Sequence, residues 1–177
     1  AQPCRAGRER GALMITSTGA LILLVPALTI AIWATWSDLS RMKIPNKAVL
    51  AMAAIWPLLG WLAVPTWTDW FWGFGIMAIV FVLGYLLYAT GTYGAGDAKY
   101  SAAFAPMFVG VPVGYLLTLI ASCMIGALIV HRIANATPPI RRMTPDWVSW
   151  DKRIFPFGLA LSSILVIYLV AACWPQV

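Results

Sequence analysis

An all-α, polytopic membrane protein is the fold class this sequence predicts, and three observations predict it. Of the 177 residues, 62% are hydrophobic and 10% charged, against roughly 25% charged in a soluble domain. Charge-free apolar runs recur along the chain at lengths that suit membrane-crossing helices, about 20 residues each. The basic residues fall in short clusters between those runs, as topology signals do. The net charge of +6 therefore points to a bilayer and away from nucleic acid.

Residues 1–13 are polar and basic, out of character with the rest of the chain. They are expected to be an extension outside the working fold, with one membrane-embedded domain over 14–177. The first apolar run, 11–37, is too long and lacks the cleavage site of a removed signal peptide. The second and third occupy 48–68 and 70–96, and the last covers 154–177. The run 100–130 spans 31 residues, too many for one helix, and Gly110-Val111-Pro112-Val113-Gly114 signals a turn in its middle.

Dividing that run gives six transmembrane helices, the fourth short, at about 98–109. Charge distribution favours six over five. With six, Arg41/Lys43/Lys47, then Lys99, then Arg132/Arg141/Arg142/Lys152/Arg153 all share one side. The loops around Asp69 and Pro112 on the other side carry no Lys or Arg. Both termini are then extracytoplasmic and the basic loops cytoplasmic. The basic residues at 5, 8 and 10 break this rule, a second reason to set 1–13 apart.

Other conspicuous residues read as structural. Trp33, Trp36, Trp56, Trp61, Trp67, Trp70, Trp72 and Trp174 flank spans, as an interfacial aromatic belt does. Cys4, Cys123 and Cys173 lack metal or disulfide spacing. His131 ends an apolar run beside Arg132 and reads as a topology boundary. Gly73, Gly75, Gly84 and Gly91 would allow close helix packing around the third span.

Chemistry is located by elimination among six acids: Glu9, Asp38, Asp69, Asp97, Asp146 and Asp151. Glu9 lies in the extension. Asp69, in the outer loop, suits a helix cap, and Asp146 and Asp151 sit in a polar loop among basic residues. Asp38 and Asp97 alone close apolar runs on the cytoplasmic side, where acids at the edge of hydrocarbon are costly and suggest function. They could meet if the first and fourth helices pack together. Two neighbouring carboxylates share one proton. The ionised member can then activate water while the protonated one polarises a carbonyl. Gly94 and Gly96 would relieve crowding around Asp97 and let an extended substrate approach. No metal or cofactor is required. Against this stands the plainer reading that Asp97 only caps a helix and Asp38 only pairs with Arg41.

Asp38-x5-Ile44-Pro45-Asn46 followed by Gly94-x-Gly96-Asp97-x-Lys99 resembles the type IV prepilin peptidases, membrane aspartic proteases of the Gly-x-Gly-Asp class. Phe155-Pro156-Phe157-Gly158 is similar to the Pro-aromatic-Gly lead-in to that family's last helix. The resemblance runs from Met14 to the C-terminus. It implies that Asp38 and Asp97 are the catalytic pair and that the substrate is a prepilin or pseudopilin. The short basic leader would be cut at the cytoplasmic face of the bacterial inner membrane, just before the hydrophobic segment. It also implies contact with the pilus assembly machinery.

Larger family members carry a cysteine-bearing domain between the first two spans and methylate the new terminus. The loop here is short and without a Cys cluster, so no methyltransferase activity is expected, and the chain looks like the dedicated Flp/Tad-type peptidases. Tyr100 stands where the family usually has an aliphatic residue or Phe. Lys99 reads either as holding the charge of the pair or as a topology determinant. Pro45 and Asn46 would shape the turn into the second helix, and Pro156 and Gly158 would line the cleft. The competing reading is a non-enzymatic transporter or assembly subunit that binds cations with the two carboxylates. Such sites usually lie near the bilayer midplane, whereas these acids lie at one face.

Overall fold

Why α1, Ser17–Arg41, begins where it does is local chemistry: the Thr16 Oγ1 accepts the Gly19 N–H at 3.0 Å, an N-cap worth about 1 kcal/mol. The helix ends when Met42 turns left-handed, with φ 54°, and its N–H bonds the Asp38 carbonyl at 2.8 Å. In this computed structural model residues 15–150 and 155–174 are described. The expected extension, 1–13, lies outside them, as do Asp151, Lys152 and Arg153. Every element among the described residues is helical.

After α1 come α2 (Asn46–Leu59), continued by a 3-10 turn at Gly60–Leu62, and α3 (Trp67–Ala89). Next are α4 (Ala95–Phe104), with a 3-10 turn at Ala105–Phe108, and α5 (Val113–Ala136). A short polar α6 (Pro138–Met143), a 3-10 turn at Val148–Trp150 and α7 (Phe157–Cys173) complete the order. The turn expected inside 100–130 is present: Gly110 takes φ 72° and Pro112 caps α5.

Three helices, α1, α3 and α5, are long and apolar enough to cross a membrane; α2 with its 3-10 turn and α7 are shorter apolar helices. The second and third elements therefore differ from the runs 48–68 and 70–96. Pro57 and Gly60 end α2 early, and Thr66 starts α3 three residues sooner. The cap of α3 is Thr66 itself. Its Oγ1 accepts the Asp69 N–H at 3.2 Å and donates to the Asp69 carboxylate at 2.6 Å. Asp69 thus occupies the first turn instead of the cap position.

Helix α7 packs on α1, α5 and, less extensively, α4; α4 packs on α3 and α2; α1 also meets α2. Leu23, Met52, Trp56, Tyr100, Met107, Leu165, Tyr168 and Leu169 are fully buried at the centre. The outer surface is apolar, with Val25, Phe71, Ile79, Val82, Leu86, Ile125 and Ile129 all exposed. So much exposed hydrocarbon is unsustainable in water and natural in lipid.

Trp56 departs from the belt role. It is fully buried and staples α2 to α3 through reciprocal bonds, Trp56 Nε1–H to the Trp70 carbonyl at 3.0 Å and Trp70 Nε1–H to the Trp56 carbonyl at 3.3 Å. Gly73 makes room for its ring, and Gly84 meets Ala98 of α4, each where a Cβ would crowd. Gly75 meets nothing beyond Trp72, and Gly91 lies past the end of α3 in a turn. His131 is buried near the end of α5 and stacks on Trp150, ring centroids 5.3 Å apart.

Candidate active site

Asp38 lies in the last turn of α1, not beyond its end, and is 5% exposed. The helix outlasts the apolar run because Ser37 and Asp38 both find partners there. Ser37 Oγ–H donates to the Lys43 carbonyl at 2.8 Å, fixing the loop toward α2. Asp38 Oδ2 accepts the backbone N–H of Gly158 at 2.8 Å. Gly158 is the second residue of α7, so its N–H is one of the donors that a helix start leaves free. A hydrogen bond of this charged kind contributes about 1.5–3 kcal/mol. Only glycine fits: a Cβ there would lie 2.8 Å from Oδ2 and 2.9 Å from the Asp38 Cβ.

The sequence pattern puts Asp97 in a glycine-rich turn, but α4 begins at Ala95 and places it in the first helical turn. Gly94 is the N-cap, and its N–H donates back to the Asp97 carboxylate, the returning half of a capping box. The helix-cap reading of Asp97 thus holds in part: it accepts the N–H of the N-cap residue from the first turn, and it also lines a cleft. A Cβ at Gly94 would stand 2.5 Å from Asp97 Oδ2, whereas one at Gly96 would meet Ile44 at an ordinary 3.6 Å. Crowding around Asp97 is relieved by Gly94 alone.

The two aspartates open into one cleft of about 350 Å³, together with Lys43, Asn46, Gly94, Gly96 and Lys99. They are not brought together by α1 packing on α4. The start of α2 and the N-terminus of α7 bridge the two helices. Beside Asp97, in the loop before α4, burial pushes the Tyr93 hydroxyl up to about 12, partly offset by a bond to Ser101 and added to by the Asp97 charge.

Other expected residues sit around this cleft in different ways. Lys99 is exposed at its rim. Pro45 caps α2 and shapes the turn from α1 without lining the cleft, while Asn46 does line it. Pro156 caps α7 and is buried; its contribution is to start the helix whose N–H reaches Asp38. Sequence reasoning passes over Lys43 as a topology charge, and Tyr93 although it adjoins Gly94.

A second, apolar groove of about 380 Å³ runs between α3 and α5, which do not pack closely on one another, with α4 and α7 as its floor. Ile76, Phe104, Ile120 and Leu161 line its length, and Tyr93 and Phe157 stand toward the aspartates. Their rings meet edge to face, centroids 5.7 Å apart.

No curated protein and no solved structure matches the chain. Residues 23–131 match the type IV leader peptidase family. That stretch carries both aspartates and the Gly94–Lys99 segment, and it covers more than half of the sequence. The chain belongs to the type IV leader peptidase family.

Proposed function

We propose that this protein is a membrane aspartic endopeptidase that removes the short basic leader from prepilin-like substrates. The observation that carries this reading is the meeting of Asp38 and Asp97 in one cleft. Near neutral pH such a pair holds one proton between them, and the titration belongs to the pair. The ionised carboxylate takes a proton from water as the water oxygen attacks the scissile carbonyl carbon. The protonated partner donates to the carbonyl oxygen as charge develops there. Collapse of the tetrahedral intermediate breaks the C–N bond, and a proton passes to the leaving amine.

Helices α1 to α5 and α7, the short α4 among them, are read as six crossings with both termini extracytoplasmic. Arg41, Lys43, Lys47, Lys99 and Arg132 then lie on the cytoplasmic side of the inner membrane, where the aspartates also lie. The fold from Met14 onward acts as one peptidase domain. The apolar groove beyond Tyr93 and Phe157 receives the substrate's hydrophobic segment while its leader occupies the polar cleft.

Co-expression with a prepilin tests this reading. Asp38→Asn and Asp97→Asn keep shape but remove the acid–base pair, and each alone abolishes leader removal. Processing by either variant overturns the assignment and returns the carboxylates to the cation-binding reading.

A further inference from the structure

The helices that carry the site fall into two packing groups. Helix α7 leans on α1 and α5, whereas α4 leans on α3 and α2, and the contact of α4 with α7 is smaller. Asp38 is tied to α7 through Gly158. Among the described residues, the hydrogen bond found on the Asp97 carboxylate comes from Gly94, at the start of its own helix. The separation of the carboxylates therefore depends on what links α4 to α7 and α1.

One turn inward from each tether, such a link exists. Tyr100, three residues after Asp97, is fully buried, and Ser162, four residues after Gly158, is 5% exposed. Their hydroxyls lie 3.2 Å apart, and Ser162 Oγ is 3.3 Å from the Ala31 carbonyl of α1. A carbonyl only accepts, so Ser162 gives its proton to Ala31, and Tyr100 must donate to Ser162. Both bonds exceed the usual O–H···O length, yet water is excluded and an unmade bond there costs more than a long one.

We propose that Tyr100 and Ser162 are positioning residues for cleavage, a hydroxyl chain anchored on the Ala31 carbonyl that sets the spacing of Asp97 from Asp38. The proposal rests on the peptidase reading of the cleft. Neither hydroxyl lines the cleft or reaches the substrate.

The test uses the full chain in detergent and a peptide that joins a basic leader to an apolar segment. The kcat, KM and pH–rate profile are measured for wild type, Tyr100→Phe, Ser162→Ala and the double variant, with Asp97→Asn as control. Loosening the link lets the carboxylates drift apart, and misplacement on this scale costs about 10-fold or more in rate. Tyr100→Phe is expected to lower kcat about 10-fold with KM within about twofold. The alkaline limb moves to lower pH, because the repulsion that Asp38 exerts on Asp97 weakens. Lys43 and Lys99 also line the cleft and Tyr93 adjoins it, and neither substitution touches them. Ser162→Ala removes both bonds and loses at least as much, and adding Tyr100→Phe to it changes nothing further. An unchanged kcat and alkaline limb in Tyr100→Phe overturns the proposal. So does a loss explained wholly by unfolded protein with the limb in place, and Ser162→Ala, the smaller change, repeats that judgement if Tyr100→Phe folds poorly. Cleavage by Asp97→Asn overturns the peptidase reading instead, so the two failures are distinguishable.

Discussion

The backbone N–H of Gly158 donates to Oδ2 of Asp38 at 2.8 Å, joining residues 120 positions apart in the chain. A carboxylate at the end of α1 thus completes the N-terminus of α7, and the favourable dipole there adds to the bond. The site and the packing of the last helix depend on the same contact.

Gly158→Ala is the sharpest test of that contact. The new Cβ meets the Asp38 carboxylate and Cβ at under 3.0 Å, so either Asp38 or α7 must shift. Activity should fall about 100-fold while the protein still inserts and purifies as a helical species by circular dichroism. Wild-type turnover in this variant would show that the Gly158 contact does not hold Asp38 for catalysis.

The two glycines before Asp97 should part company. Gly94→Ala drives a Cβ onto the carboxylate, whereas Gly96→Ala makes an ordinary contact with Ile44. Leader cleavage is expected to drop at least 10-fold in the first and to stay within about twofold in the second. Equal losses would place the need for Gly96 in substrate approach and not in packing.

The shared cleft sets a pH dependence. Asp38 and Asp97 open into one cleft, and two neighbouring carboxylates titrate as a unit that holds one proton between them. Leader cleavage should fall on the alkaline side, where the pair loses that proton. A pH–rate profile with no alkaline decline would count against a shared proton.

The proposed role of the apolar groove is separable from that of the cleft. Ile120 faces it from α5 and is 36% exposed, so Ile120→Trp fills space without breaking the core. The KM for a substrate with an apolar segment should rise about 10-fold, the equivalent of roughly 1.4 kcal/mol of lost binding. A leader peptide truncated before that segment should be cut by variant and wild type alike.

Sequence pattern carries the all-helical, apolar character of the chain and the break near Gly110, because hydropathy and turn residues are local signals. It also singles out Asp38 and Asp97, since few acids sit beside hydrocarbon and these two share one cleft. Element ends are less legible. Asp97 reads as a turn residue until Gly94 is seen as the N-cap, and Asp38 reads as a loop residue until a donor from α7 is supplied. Backbone donors such as the Gly158 N–H leave no trace in residue identity. Trp56 and Trp70 look alike in sequence with their interfacial neighbours, and only tertiary packing makes them a staple. The Tyr100–Ser162 pair is hidden for the same reason, as an aromatic and a serine in two apolar runs 62 positions apart.

The separation of α3 from α5 bears on how a substrate arrives. A groove that opens between two bilayer-facing helices admits its occupant sideways, from the plane of the lipid. On the proposed peptidase reading, a membrane-anchored substrate searches in two dimensions and need not leave hydrocarbon to be cut. Its polar leader alone would have to find the cleft, and the helix behind the cut would slide back into the bilayer by the route it came.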